Sequence, residues 1–594
     1  MINLNYQKRK NSELFKSLEN PESLFLSKTQ NYIPIYTKFF SLNESNFNNI
    51  NLNNKWFLSS INEKIEDNER IYNCRIKNIN NNKTKDKELF FKLAPLLDPY
   101  KFLIGKYNIL DNRYLTLPKM DSTEIDTYSK FLDLNNSAYI DGLFLFLSSN
   151  LINEYNFVNG VDYYGSFLAI KNNFNINVFD DIDYLNGSEF FNKNKNKLFT
   201  IDDYEHLFNL QEGKLKPITI QHDLSSKSKM SIKSFDENIY EDIFEDNTET
   251  ISLDNLKELS IELVDITNED ILDTNDKQDK DKNVTLKSNS TCSSRSSHTS
   301  LDETECDNEN CIDYEECEED DEAELVEEGS TESNEEYEEE IINATIPKFP
   351  VQVICMENCE KTFDELILTN ELNTEEWHSA FMQIIMILIT YQKSFNFTHN
   401  DLHTNNVMYV QTNKKYLYYR YKKKCYKVPT FGRIFKIIDF GRSIYKFNGN
   451  IFCSDSFNVG GDAATQYNTE PYFNEKKPRL EPNFSFDLCR LACSIYDYVI
   501  DESDDTKDLS NLKDPVKKLI VEWCLDDKGI NMLYKNNGDD RYPDFKLYKM
   551  ISRCVHNHTP MSQLERPEFK KFSNFKEDVS NEQIIDIDKI PIYF

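Results

Sequence analysis

Glycine is scarce in this sequence, with 14 residues in 594 and none between Met1 and Lys92. Glycine is what lets a backbone turn left-handed and approach an anion closely, so a glycine-rich phosphate cradle is excluded from that stretch. No apolar run approaches the roughly 20 residues needed to span a bilayer. The longest, residues 381–391, reads as a buried helix. No basic leader with an apolar core opens the chain, which begins Met1-Ile2-Asn3-Leu4-Asn5-Tyr6. The 13 cysteines show no repeated spacing and read as reduced thiols. These absences together predict a cytoplasmic protein with no membrane partner. Cations are also in deficit, 68 Lys and Arg against 102 Asp and Glu, for a net charge of −34. A surplus of that sign makes nucleic acid a poor partner for the chain as a whole.

The length exceeds one ordinary core, so several domains or a large insertion are expected. Residues 1–54 are polar and Asn-rich and read as a variable N-terminal segment, part packed and part mobile. Regular patterning starts at Lys55. Trp56-Phe57-Leu58, residues 71–76 and Glu88-Leu89-Phe90-Phe91-Lys92-Leu93 read as three strands separated by polar turns. Residues 136–147 predict a helix with a polar start and a broad apolar face. Two further strands are expected over 161–170 and 176–179. From 196 to 347 the pattern fades. Residues 288–300 are rich in Ser and Thr, and 302–340 are dominated by Asp and Glu. Such a composition buries too little apolar area to offset chain entropy, so the tract reads as a disordered acidic insertion that suits a basic partner.

Order returns at Phe349-Pro350-Val351-Gln352-Val353-Ile354-Cys355-Met356-Glu357, a strand, with a helix opening at Thr362. Thr374 is a plausible N-cap for the next helix, whose apolar residues Phe381, Ile384, Ile385, Leu388 and Ile389 have helical spacing. That helix leads into Phe397-Thr398-His399-Asn400-Asp401-Leu402-His403-Thr404-Asn405-Asn406. A β-rich stretch then ends in Ile437-Ile438-Asp439-Phe440-Gly441-Arg442. His-x-Asp-x4-Asn followed by Asp-Phe-Gly resembles the catalytic loop and metal-binding motif of the protein-kinase fold. Phe90-Phe91-Lys92-Leu93-Ala94-Pro95-Leu96-Leu97-Asp98-Pro99 and His399-Asn400-Asp401-Leu402-His403 are similar to haspin-like serine/threonine kinases of large DNA viruses.

The resemblance implies an α+β, bilobal fold with a β-rich N-lobe (residues 55–195, then 348–372 for the last strand and hinge) and a mainly helical C-lobe (373–594), interrupted by the insertion at 196–347. It implies ATP and Mg2+ as cofactors and a protein as substrate. Asp401 would take or orient the acceptor proton, and Asn406 and Asp439 would hold Mg2+ through hard oxygen donors. Lys92 would reach the ATP phosphates, paired with an acid from the first helix, Asp141 or alternatively Glu154. Met356 would guard the adenine pocket, with backbone groups near Glu357 and Asn358 reading the adenine edge. His399 would prop the loop, and Asp487 in Ser485-Phe486-Asp487-Leu488 would hydrogen-bond its backbone. The resemblance implies a site of action in the host cytoplasm or the virion.

Four departures from the family pattern stand out. Ser59-Ser60-Ile61-Asn62 offers a glycine-free turn where the glycine loop should be. Asn400 replaces the usual arginine, so phosphorylation of the activation segment is not required. His403 replaces a lysine. Leu480-Glu481-Pro482 stands in for Ala-Pro-Glu. The Tyr- and Lys-rich residues 413–427 read as a solvated hairpin rather than a nucleic-acid surface. Cys554, His556 and His558 lie close, but histidines at i and i+2 do not share a helix face. A pseudokinase scaffold and a small-molecule kinase are the alternative functions.

Overall fold

The structure is a computed structural model, and it describes residues 4, 6–65, 68–108, 111–204, 341–369, 372–501, 506, 508–535, 537–575, 580 and 583–594. The Ser/Thr-rich and acidic stretches lie outside the described residues. The chain is mixed α+β, rich in sheet in its first part and in helix later.

Residues 6–54 form strand β1 (Tyr6–Lys8), helix α1 (Ser12–Glu19), strand β2 (Leu26–Gln30) and strand β3 (Ile50–Leu52). This polar segment still buries Leu14, Leu18, Leu26, Ile33, Tyr36 and Ile50. Next come β4 (Trp56–Lys64), β5 (Ile71–Asn78) and β6 (Thr84–Pro95), the three strands read from the sequence. In β5 buried and outward residues alternate, as a half-covered strand requires. Helix α2 (Ser137–Tyr155) follows, then β7 (Tyr163–Asn177), the short β8 (Thr200–Ile201) and β9 (Asn343–Glu357). These strands form an antiparallel sheet in the order β2-β7-β9-β6-β5-β4, with β8 also on β9. Val351, Val353, Ile354 and Cys355 of β9 are fully buried at its centre.

Some expectations shift. The two strands expected over 161–179 are one, β7, and Phe179 opens a 3-10 turn instead. The returning strand starts at Asn343, inside the expected insertion. Ser59-Ser60-Ile61-Asn62 is not a turn. It lies within β4, paired to β5 across register shifts between Leu58 and Ser60 and between Ile61 and Glu63. Bulges satisfy that irregularity without glycine, and the chain reverses beyond Lys64.

Strand β10 (Lys361–Thr362) leads into α3 (Phe363–Thr369) and α4 (Thr374–Phe395). Asn373, not Thr374, caps α4. Its side chain accepts the Glu375 and Glu376 N–H groups while Glu376 bonds back to the Asn373 N–H, a capping box that satisfies donors otherwise left open at a helix start. Apolar residues surround α4 on every side and nearly all are buried, which makes it a core helix. Strands β11 (Val407–Gln411), β12 (Tyr416–Tyr421), β13 (Lys424–Pro429), β14 (Arg433–Ile437), β15 (Ile444–Phe447) and β16 (Asn450–Cys453) follow. Helices α5 (Phe486–Val499), α6 (Pro515–Trp523) and α7 (Phe545–Cys554) close this part. The expected hairpin is β12–β13, with a third strand, β17 (Ile584–Asp586), running parallel to β12. No helix among the described residues is long and apolar enough to cross a membrane.

Candidate active site

Three charged side chains meet where the sheet, α2 and the segment after β14 converge. Lys92 leaves β6 opposite Ile354 of β9. Its Nζ lies 2.6 Å from Asp141 Oδ2 and 2.9 Å from Asp439 Oδ1. Glu154, at the exposed end of α2, is not part of this cluster. The Asp141 side chain is 2% exposed and that of Asp439 50%. An aspartate reaches the lysine because α2 packs close to the sheet. A Cβ on Gly142 would fall 2.1 Å from Nε2 of Gln352 on β9. The other oxygen of Asp141 accepts the Phe440 N–H at 2.9 Å, so one buried carboxylate ties β6, α2 and the Asp-Phe-Gly segment together.

Desolvation opposes all three charges, although Asp439 keeps half of its side chain in contact with solvent. On Lys92 the two carboxylates outweigh burial and raise the pKa. On Asp439 burial is likewise overcome, by Lys92 and then His399, and the pKa falls. Asp141 has no such surplus: burial raises its pKa, and Lys92 offsets that only in part. The result is a buried ammonium held between a sequestered acid and one open to solvent.

Aromatic packing sets the positions. Phe440 is fully buried against Phe144 of α2 (centroids 4.7 Å apart), His399 (5.7 Å) and Phe397 (5.9 Å). Phe144 stacks on Phe397 at 4.3 Å.

The loop after α4 is anchored from below. Asp487, fully buried on α5, accepts the N–H groups of His399 (3.0 Å) and Asn400 (2.9 Å). Burial raises its pKa, and these bonds and His399 counter the rise. His399 Nδ1 accepts the Asp401 N–H, and its Nε2 meets the Ile438 carbonyl at 2.9 Å, so the ring braces the loop against the strand leading to Asp439. Asn400 sits at φ 62° and Asp439 at φ 59°, a left-handed conformation that Asn and Asp tolerate best after glycine. The Asn400 amide donates to the Thr398 and Arg442 carbonyls and accepts the Tyr467 hydroxyl at 2.9 Å.

Asn406 donates from its amide nitrogen to the Asp401 carbonyl (2.9 Å) and to His403 Nε2 (3.1 Å), leaving its oxygen as the group on offer. Burial pushes the His403 imidazole down to about 4, so it is neutral near pH 7. Asp401 lies close by, its side chain 8% exposed. The oxygen donors of Asn406 and Asp439 fit a hard divalent cation such as Mg2+.

Met356 is buried on β9 opposite Phe90 and Tyr163. Glu357 ends that strand. Its N–H donates to the Asp162 carbonyl, and its carboxylate accepts the Asp162 N–H and pairs with Lys436 at 2.5 Å. Asn358 follows, partly exposed. The Cys554, His556 and His558 group is spread among separate partners: His556 pairs with Asp527 and His558 bonds the Leu525 carbonyl.

Several residues around the loop carry no sequence signal. Tyr548 of α7 donates its hydroxyl to Asp401 Oδ1 at 3.0 Å. Arg442 pairs with Asp462 at 2.5 Å and reaches 3.8 Å from Asp401. Asp455 accepts the Ser137 N–H at the start of α2 and pairs with Lys130. Arg442 follows directly on Asp-Phe-Gly, the only hint available, and nothing marks Tyr548 or Asp455.

No family model matches the chain. Over 184 residues, 30% of its length, it is 28% identical to Uncharacterized protein 098R of Invertebrate iridescent virus 6, covering 27% of that protein. Over 171 residues, 28% of its length, it is 25% identical to the Serine/threonine-protein kinase haspin homolog of Drosophila melanogaster, covering 29% of it. The matched stretch is thus under a third of either relative, and the likeness to the haspin homolog is a distant, kinase-like relationship.

Proposed function

We propose that the chain is an ATP- and Mg2+-dependent protein kinase of bilobal fold that phosphorylates Ser or Thr hydroxyls. The observation that carries this is the meeting of Lys92, Asp141 and Asp439 beside a loop that holds Asp401 and Asn406 on Asp487. The distant likeness to a haspin homolog supports it.

In this reading Lys92 neutralises and orients the ATP phosphates and Asp141 holds the lysine in place. Asp439 and Asn406 hold Mg2+, which when bound offsets phosphate charge. Met356 walls the adenine site, and backbone groups near Glu357 and Asn358, other than the Glu357 N–H held by Asp162, meet the adenine edge. Asp401 accepts the acceptor hydroxyl proton. The acceptor oxygen bonds to the γ-phosphorus, and the bond from that phosphorus to the β–γ bridging oxygen breaks, its electron pair leaving on ADP. The Tyr467–Asn400 and Arg442–Asp462 contacts hold the activation segment without a phosphate. The site of action is the cytoplasm of a host cell or the virion, and a basic partner would meet the acidic tract.

The absence of glycine before Lys92 favours a pseudokinase scaffold, and the complete acid and amide set speaks against it. Purified full chain with labelled ATP, Mg2+ and mixed protein substrates separates the readings. Wild type should transfer label, and Asp401→Ala and Asp439→Ala should each lose at least about 100-fold. No transfer by wild type, or equal transfer by all three, refutes the enzyme. Label on small alcohols or amines alone assigns a small-molecule kinase.

A further inference from the structure

Resting on the kinase reading, we infer that Tyr548 is a positioning residue for phosphoryl transfer, holding the Asp401 carboxylate in the orientation that receives the acceptor hydroxyl. The loop creates the need for it. His403 stands two residues after Asp401, yet its Nε2 is taken by Asn406 and its Nδ1 has no hydrogen-bond partner among the described residues. The loop therefore supplies no side-chain donor from that position to the Asp401 carboxylate. A carboxylate on a short side chain keeps rotational freedom unless donors hold it, and misplacement of a catalytic group is costly.

Tyr548 supplies the missing donor from a distant helix. Its hydroxyl meets Asp401 Oδ1 at 3.0 Å, while Arg442, at 3.8 Å from the same oxygen, offers attraction without a hydrogen bond. The hydroxyl is itself held, because it also hydrogen-bonds the side chain of Arg490, a fully buried residue on α5. The arginine is thereby linked through the phenol to the carboxylate, and a bond to an ionised acceptor is stronger than one to a neutral acceptor. The ring is equally fixed. It stacks on Phe545 at 5.6 Å, lies 6.2 Å from Phe486 and sits beside the Arg490 guanidinium at 4.9 Å. Helix α7 is tied to the segment after Asp439 by the Ser552 hydroxyl, which donates to the Gln466 carbonyl. Burial raises the Tyr548 pKa, with Arg490 opposing the rise, so the phenol remains a neutral donor throughout the physiological range.

The test is steady-state phosphotransfer by the full chain, comparing wild type, Tyr548→Phe, Asp401→Asn and the double variant. Tyr548→Phe keeps the ring and its packing and removes the hydroxyl's bonds to Asp401 and Arg490. We expect kcat to fall about tenfold, with KM for ATP and for the acceptor within about twofold and a modestly lowered thermal midpoint, since Asp401 and Arg490 each lose a buried partner. In the Asp401→Asn background the same change should cost nothing further, because the tyrosine acts through that carboxylate. An unchanged kcat, a change confined to KM or to thermal stability, or full additivity in the double variant overturns the inference while leaving the kinase reading intact. A raised kcat also overturns it, since the hydroxyl would then be blocking the acceptor site. Absence of transfer by wild type removes the kinase reading and this inference with it.

Discussion

Buried charge at this site is tolerated only where partners are complete. Lys92 has two carboxylates within 3 Å, and Asp487 accepts two backbone N–H groups, so neither is an isolated ion in a low dielectric. The same logic applies away from the site, at His378 on α4. The residue is 3% exposed, and Nδ1 meets Lys571 Nζ at 2.9 Å. Burial first, then Lys571, lowers its pKa below the ordinary 6.5, while Glu375, Glu568 and Asp514 oppose the shift. A histidine held neutral in the fold binds its proton more readily in the unfolded chain. Its contribution to stability is therefore complete above pH 6.5 and is lost as pH falls from there toward the folded value. Urea unfolding at about pH 7.5 and about pH 5.5 should show a smaller loss on acidification for His378→Asn than for wild type. Equal losses would exclude His378 as a source of the acid sensitivity.

At the scale of elements, the loop after α4 is a short irregular segment whose conformation is imposed by its neighbours. Helix α4 delivers it, α5 holds it from beneath, and α2 presses Phe440 against it. Replacing Asp487 with Ala strips the acceptor from two buried N–H groups at once. The expected cost is about 2–4 kcal/mol, read from denaturant midpoints, together with loss of phosphotransfer. A loss of activity with unchanged stability would mean that the anchor is not what holds the loop. The apolar periodicity of α4 and the start of α2 were legible because each helix buries most of its surface, whereas α2 runs on to Tyr155, past the expected end at 147. The cap at Asn373 and the bulged pairing of Ser59 and Asn62 were not legible. A cap is shifted by one residue when a side chain bonds its neighbours' N–H groups, and register shifts depend on the partner strand.

For the whole molecule, the decisive feature is how the sheet is completed across a long sequence gap. Residues 205–340 fall in the sequence between Asp202 and Asn343, and those two residues are bonded to each other: the Asp202 N–H meets the Asn343 carbonyl at 3.0 Å and the Asn343 N–H meets Asp202 Oδ2 at 2.8 Å. Loop-closure cost rises only about 0.6 kcal/mol per doubling of length. Replacing 205–340 with a short Gly/Ser linker should therefore preserve the cooperative unfolding of the remainder, with stability unchanged or raised by up to about 2 kcal/mol. A shortened chain that fails to fold would show that the sheet relies on that stretch. The N-terminal fifty residues teach the converse. Their scattered leucines, isoleucines and tyrosines are too widely spaced for a periodic signal, yet β2 adds to the edge of the sheet through β7 and buries them.

By itself the sequence determined the alternation that makes β4 to β6, the apolar helices α2 and α4, and the local motifs around Asp401, Asn406 and Asp439. Each of these depends on residues close together in the chain, where side-chain chemistry and backbone periodicity are enough. Only the tertiary structure decided that Asp141 and not Glu154 meets Lys92, that Glu357 is committed to Lys436, and that Tyr548, more than a hundred residues downstream, lies on Asp401. Those pairings turn on how closely one element packs on another, and a difference of a single helical turn or one strand register would have chosen different partners.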